Sequence, residues 1–296
     1  MQAIYGPVAS RRLGQSLGIS PMTLKTCNYN CIYCQLGSTH YLTNHFQAFM
    51  NVDNILESLD AFLAKKIAFD VVSIVGNGEP TLYEDLIGLI QGIKQRTEKP
   101  ICLITNGALL YEPNVIKAAN LCDIVLPSLN GFNPISHLKI NRPHKALDYH
   151  KVLTALVDFS KQYKGKLWLE IMVIKGINDH DEAIQAYKRT LSKINYDRLY
   201  LNVPVRAPSE KWVEIPDKVN LIKMRDALNG ILIDYLEAPN YHDAIKDDYL
   251  ALKNLLRYHP LHQFEIKAFL SKRNTAYQTI IAQLEADNNV QKSIYK

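Results

Sequence analysis

The sequence predicts an α/β fold, six β/α units in an open, partial barrel, followed by a small C-terminal appendage. Three observations point there. From residue 51 onward helix-like and strand-like segments alternate, the pattern of β/α units around a parallel sheet. The units number about six, too few to close an eight-stranded barrel. Nearly every strand runs into polar or glycine-containing text, "GNGEP", "TNGA", "SLNG", "KGIND" and "NVPVRAP", where such folds place their chemistry.

In chain order, "SLGISPMTL" supplies the first strand. Val52, Ile55, Leu56, Leu59, Phe62 and Leu63 recur at helical spacing, and "FDVVSIVG" follows as a short buried strand ending at Gly76. The alternation continues with "LYEDLIGLIQGIKQ" as helix and "ICLITNG" as strand, then "EPNVIKAANL" as helix and "DIVLPSLNG" as strand. It ends with helix "HKALDYHKVLTALVDFSKQY", strand "LWLEIMVIKG", helix "HDEAIQAYKRTLSKI" and strand "RLYLNVPV".

The barrel is assigned residues 1–240 and the appendage residues 241–296. The appendage reads as winged-helix-like: a helix over His262–Ser271, then a second helix capped by Asn274 with Tyr277, Ile280, Ile281 and Leu284 on its apolar face. "VQKSIYK" completes it as a strand.

A composition of 47% hydrophobic and 21% charged residues over 296 positions supports one large core without staples. The net charge of +5 admits an anionic partner but falls short of a strongly basic nucleic-acid binder. The N-terminus lacks a secretory pattern and no apolar run reaches the roughly 18 residues of a membrane span, so a soluble cytoplasmic protein is expected. Five cysteines, three of them clustered, fit thiols that ligate metal in a reducing compartment rather than a disulfide framework.

The cluster is "KTCNYNCIYCQLGST", which places Cys27, Cys31 and Cys34 within eight residues. Three thiolates can hold three irons of a [4Fe-4S] cluster and leave the fourth iron open to a ligand. A tetrahedral zinc completed by His40 answers the same pattern. Cys102 and Cys122 sit in apolar text and read as small core hydrophobes.

The C-x-x-x-C-x-Φ-C spacing, with Φ the aromatic Tyr33, resembles the radical S-adenosylmethionine (SAM) superfamily. "YGPVASRRLGQSLGI", "CQLGST", "GNGEPTL", "LPSLNG" and "EIMVIKGIND" resemble its Fe–S oxidoreductase subgroup related to the wyosine-type tRNA-modifying enzymes. The further N-terminal cysteines of those enzymes are missing, since Cys27 is the first in the chain. The resemblance implies a partial (β/α)6 radical SAM barrel and one [4Fe-4S] cluster whose open iron is chelated by the amino and carboxylate groups of SAM. It also implies a 5′-deoxyadenosyl radical that takes hydrogen from a substrate, RNA being one candidate, and a flavodoxin- or ferredoxin-type reductant. Tyr33 is then expected near the adenine. Asn77, Gly78 and Glu79 stand where the family has Gly-Gly-Glu, with Glu79 receiving the methionine ammonium.

Ser128 and Asn130 are candidates for the SAM ribose, with turn chemistry as the alternative. Glu170, inside an apolar strand, is expected to be buried and hydrogen-bonded. Asn202 and Arg206 are candidates for SAM or a substrate carboxylate, and Arg11 and Arg12 for an anionic substrate, against a solvated pair. The competing functions are activation of a glycyl-radical enzyme and, from another class, a metal-stabilised nucleic-acid-binding module in which Lys272 and Arg273 meet phosphates.

Overall fold

The computed structural model describes residues 3–22, 25–233, 247–258, 261, 263–290 and 292. The chain opens with a hairpin of β1 (Ile4–Ser10) and β2 (Gly14–Ile19). A short parallel pair, β3 (Thr26–Cys27) and β4 (Tyr41–Leu42), then brackets the cysteine loop. Regular β/α units follow. α1 (Val52–Leu63) begins where the Asn51 side chain accepts from Asp53 N at 2.7 Å, and it buries Ile55, Leu56, Leu59 and Phe62.

The remaining units are β5 (Val71–Ile74), α2 (Leu86–Lys94), β6 (Ile101–Thr105), α3 (Pro113–Asn120) and β7 (Ile124–Pro127). After them come α4 (Pro134–Asn141), α5 (Tyr149–Gln162), β8 (Lys166–Met172), α6 (Asp181–Leu191), β9 (Arg198–Asn202), α7 (Lys218–Leu228) and β10 (Ile231–Leu232). Local chemistry sets the helix ends: Asn133 and Ser136 form a capping box on α4, and α6 carries Asp181 and Glu182 in its first turn and Lys188 and Arg189 in its last.

One eight-stranded sheet runs β1-β2-β5-β6-β7-β8-β9-β10, parallel from β2 onward. Its two edges do not pair, so the barrel is open as expected. The six expected strands are β2 and β5 to β9. β1 was not foreseen because Gly6-Pro7 interrupts it; at a sheet edge a proline costs no ladder bond, and the register shifts there between Tyr5 and Val8. β10 is only two residues long.

Alternation along the strands sorts the barrel into layers. Leu17, Ile74, Leu103, Val125, Leu169 and Leu201 face the helices. Val71, Cys102, Ile124, Trp168 and Tyr200 point inward and fill the barrel floor. Two residues further along the same strands, the inward positions become Ser73, Ile104, Leu126, Glu170 and Asn202; four of these five line the cavity described below. The floor is dry packing and the mouth is mostly polar.

The appendage contains α8 (Asp248–Tyr258), α9 (Gln263–Lys272) and α10 (Tyr277–Ala286). Leu252, Leu255, Phe269, Leu270, Ile280 and Leu284 join Tyr5, Val8 and Ala9 of β1 in one apolar cluster, so these helices cover the edge strand. Asn274 is not the N-cap of the second helix. It adopts a left-handed conformation, φ 55°, at the end of α9, and Ala276 stands at the N-cap of α10. His262, most of the expected terminal strand and the boundary at residue 240 lie outside the described residues; Val290 and Lys292 are not in a strand. No helix among the described residues is long and apolar enough to cross a membrane.

Candidate active site

The cysteine loop is tied down on both flanks. Asn30 N and Ile32 N donate to the carbonyls of Asn141 and Ile140 at 2.9 and 3.0 Å, and Ser209 Oγ donates to the Cys31 carbonyl at 2.8 Å. Ile32 is fully buried against Ile140 and Ile174. With the backbone so held, Cys27, Cys31 and Cys34 all line one cavity. Tyr29 N donates to Cys27 Sγ at 3.3 Å, and Asn106 Nδ2 approaches the same sulfur at 3.7 Å. Burial, with Glu79 and Cys34 adding to it, pushes the Cys27 thiol up to about 12, and burial raises Cys31 well above the usual thiol range. A metal taking these sulfurs must displace their protons.

The segment after β5 runs beside the first cysteine. Thr26 N donates to Asn77 O at 3.2 Å and Glu79 N donates to Thr26 O at 3.1 Å. Gly78 makes that approach possible: its φ is 155°, and a Cβ there would lie 1.7 Å from Thr26 O. Glu79 is 2% exposed. Its Oε1 accepts from Thr81 N, Thr81 Oγ1 and Thr105 Oγ1 at 3.1, 2.7 and 2.5 Å, whereas Oε2 accepts only from Asn106 N at 2.7 Å. A carboxylate oxygen has room for a second donor. Among the described residues no cation pairs with Glu79, and burial pushes its carboxyl up despite these bonds.

The cavity measures about 400 Å³ and is walled by the strand ends, the cysteine loop and the appendage. Glu170 holds Arg12 in an ion pair and accepts from Asn202 Nδ2 at 3.4 Å. Arg206 donates to Gln35 Oε1 at 3.3 Å and faces Glu265 of α9 at 3.8 Å. Arg11, Tyr33 and Ser128 also line the space. Tyr33 OH accepts from Asn130 Nδ2 at 2.7 Å.

Two expected contacts are not in the lining. Asn130 is buried behind Tyr33, its carbonyl taken by Tyr187 and its Oδ1 by Met172 N. Asn77 offers only its backbone, to Ser20 and Thr26. Sequence reasoning missed Lys25, Thr105, Asn106 and Glu265, which the fold brings to the same cavity. "TNGA" marked the end of β6 as polar, but nothing local distinguishes Lys25 or Glu265.

Among the described residues no three His, Cys, Asp or Glu side chains are grouped to hold a single metal ion. His40 is exposed and does not line the cavity, so it does not complete a zinc site. Among the described residues, a donor set of three thiols with no fourth, beside a buried carboxylate with no cation, fits a polynuclear iron–sulfur group together with an amine-bearing ligand.

The Radical SAM superfamily profile matches residues 23–187. UPF0026 protein MJ1312 of Methanocaldococcus jannaschii is 31% identical over 291 residues, covering 95% of this chain and 89% of that protein. A protein named GTPase Obg from Brachyspira hyodysenteriae is 36% identical over 243 residues; the match takes in 82% of this chain but only 36% of that protein's length. Among solved structures, TYW1 with a lysine-pyruvate adduct bound superposes with a TM-score of 0.56 at 18% identity, covering 74% of each chain.

Proposed function

Because the chain belongs to the radical SAM superfamily, we propose that Cys27, Cys31 and Cys34 hold one [4Fe-4S] cluster and that SAM binds its open iron in the cavity beside them. The observation that carries this reading is Glu79, a buried carboxylate with one oxygen open to a second donor and, among the described residues, no cation, on a segment hydrogen-bonded to the strand of Cys27. The methionine ammonium of SAM supplies that cation. Cluster and SAM together would supply one-electron cleavage of the carbon–sulfur bond and removal of a hydrogen atom from a substrate.

The chain's own residues bind, orient and exclude water. Glu79 and Gly78 would hold the methionine end, Tyr33 would lie toward the adenine and Ser128 toward the ribose, with Asn202 lining the same cavity. The packed floor around Trp168 and Tyr200 keeps solvent from entering through the barrel. Arg11 is assigned to an anionic group of the substrate, with Arg12 held beside it by Glu170, and a flavodoxin- or ferredoxin-type carrier to the electron supply.

The test is anaerobic reconstitution, followed by iron analysis and chromatography for 5′-deoxyadenosine after reduction with SAM. Four irons per chain and deoxyadenosine production are expected in the wild type, and loss of both in Cys27→Ala, Cys31→Ala or Cys34→Ala. Full iron content and cleavage in any of these variants refutes the ligand set.

A further inference from the structure

Lys25 has no place in the assignments above. It stands two residues before Cys27 and is 7% exposed, with its side chain lining the cavity. Its carbonyl accepts from His40 N and Tyr41 N at 3.1 and 3.2 Å, which fixes the backbone where the cysteine loop closes. Its Nζ is buried and has no hydrogen-bond partner among the described residues. An ammonium in that position is costly unless an anion faces it.

The groups in that corner that turn anionic are the cysteine sulfurs, which become thiolates once a metal displaces their protons. Lys25 and Cys27 flank Thr26 on an extended segment, so their side chains leave it on the same face, and both line the cavity together with Cys31. Glu79, the other acid beside Cys27, is already held by Thr81, Thr105 and Asn106. A cluster carried on three thiolates is net negative and becomes more so on taking an electron, and a fixed positive charge in a water-poor site favours the reduced form.

We infer that Lys25 is the fixed counter-charge of the cluster: its ammonium, held at the Cys27–Cys31 side of the cavity, raises the reduction potential and so eases electron entry. This rests on the cluster proposed above. Lys25 acts through the cluster and is a positioning charge, not a group that touches the substrate. The electron comes from the one-electron carrier already named and is stored on the cluster iron, with no bond made or broken.

The experiment is a mediated redox titration of reconstituted protein without SAM, followed by electron paramagnetic resonance, on wild type, Lys25→Met and Lys25→Arg. Iron content is measured alongside. Lys25→Met is expected to shift the reduction equilibrium at least tenfold toward the oxidised cluster, about 59 mV for one electron, whereas Lys25→Arg stays near wild type. Loss of iron in Lys25→Met with full retention in Lys25→Arg also supports the inference, since the two differ chiefly in charge.

Equal potentials in wild type and Lys25→Met overturn it. If SAM affinity alone then falls in Lys25→Met, the ammonium belongs to the SAM carboxylate instead. Loss of iron in both variants also overturns it, because shape rather than charge would be what the site needs. A wild type that takes up no cluster defeats the proposed function and this inference together, which separates the two failures.

Discussion

Replacing Glu79 with glutamine tests the site most directly, because it keeps the shape while removing the charge and turning one acceptor oxygen into a donor. Three donors meet Oε1 and one meets Oε2, so the new amide nitrogen takes the Oε2 position and confronts Asn106 N. That leaves one buried donor unpaired, a cost of about 1–3 kcal/mol to the ligand-free fold. The oxygen it replaces is the one open to the SAM ammonium. Loss of a hydrogen bond to a charged group weakens binding by about 1.5–3 kcal/mol, a rise in Kd of about tenfold to a hundredfold.

The same residue sets a pH dependence. Burial raises the Glu79 carboxyl, the first and largest cause, while Asn106, Thr105 and Thr81 pull it partly back. Binding an ammonium needs the ionised form, so wild-type SAM affinity falls as pH drops through that raised value, at a higher pH than an ordinary glutamate would give. For ligand-free stability the sign is opposite. A carboxyl raised in the folded state favours folding below its unfolded pKa, and that contribution is lost as pH rises through the folded value. Equilibrium dialysis of SAM on anaerobically reconstituted wild type and Glu79→Gln across a pH series reads the affinity loss and its pH dependence. Equal affinities at neutral pH, or the same pH slope in the two proteins, refute the assignment.

Gly78→Ala forces a Cβ to within 1.7 Å of Thr26 O, so strand β3 must move; destabilisation of about 3 kcal/mol, at the top of the overpacking range, and loss of cluster iron are expected in denaturant titration and iron assay. Arg12→Met leaves Glu170 as a part-buried, unpaired acid, and the double variant Arg12→Met/Glu170→Met should recover part of the lost stability. A single variant no less stable than the double one contradicts that pairing. Arg273 is held by Asp248 and lies over the Phe269 ring, 5.3 Å from its centre. The tail is therefore expected to bind RNA no differently in Lys272→Ala/Arg273→Ala than in wild type across a salt series, and a salt slope shallower by about 0.7–0.9 per lost phosphate contact would show instead that these residues hold nucleic acid.

The repeating units were legible because each element carries its own period. α1 shows its buried face in the spacing of Ile55, Leu59 and Phe62, and β5 is a run of consecutive buried residues. β1 was hidden by its Gly-Pro. Asn274 was misread because asparagine suits two sites at a helix junction, the N-cap of the next helix and the left-handed end of the previous one; here the chain takes the second. At the site, spacing identified the cysteines, and the glycine–glutamate pair identified the segment beside them. Lys25, Thr105 and Asn106 stayed invisible because their roles arise only when β3 meets the segment after β5 and both lie against the end of β6.

The appendage illustrates a different limit. Glu265 on α9 is 5% exposed and lines the cavity. The Arg206 guanidinium it faces also reaches Gln35 in the cysteine loop, so a single side chain links the appendage, the exit of β9 and the loop of the three thiols. Such a buried pair is a poor device for stability, since its desolvation offsets most of its attraction. What it does provide is position: α9 is held against the cavity mouth while the apolar cluster on β1 anchors the rest of the helices. The change in sequence style near residue 240 therefore marks a change from β/α units to packed helices and not an edge of the site, and whatever enters the cavity meets a wall to which both parts contribute.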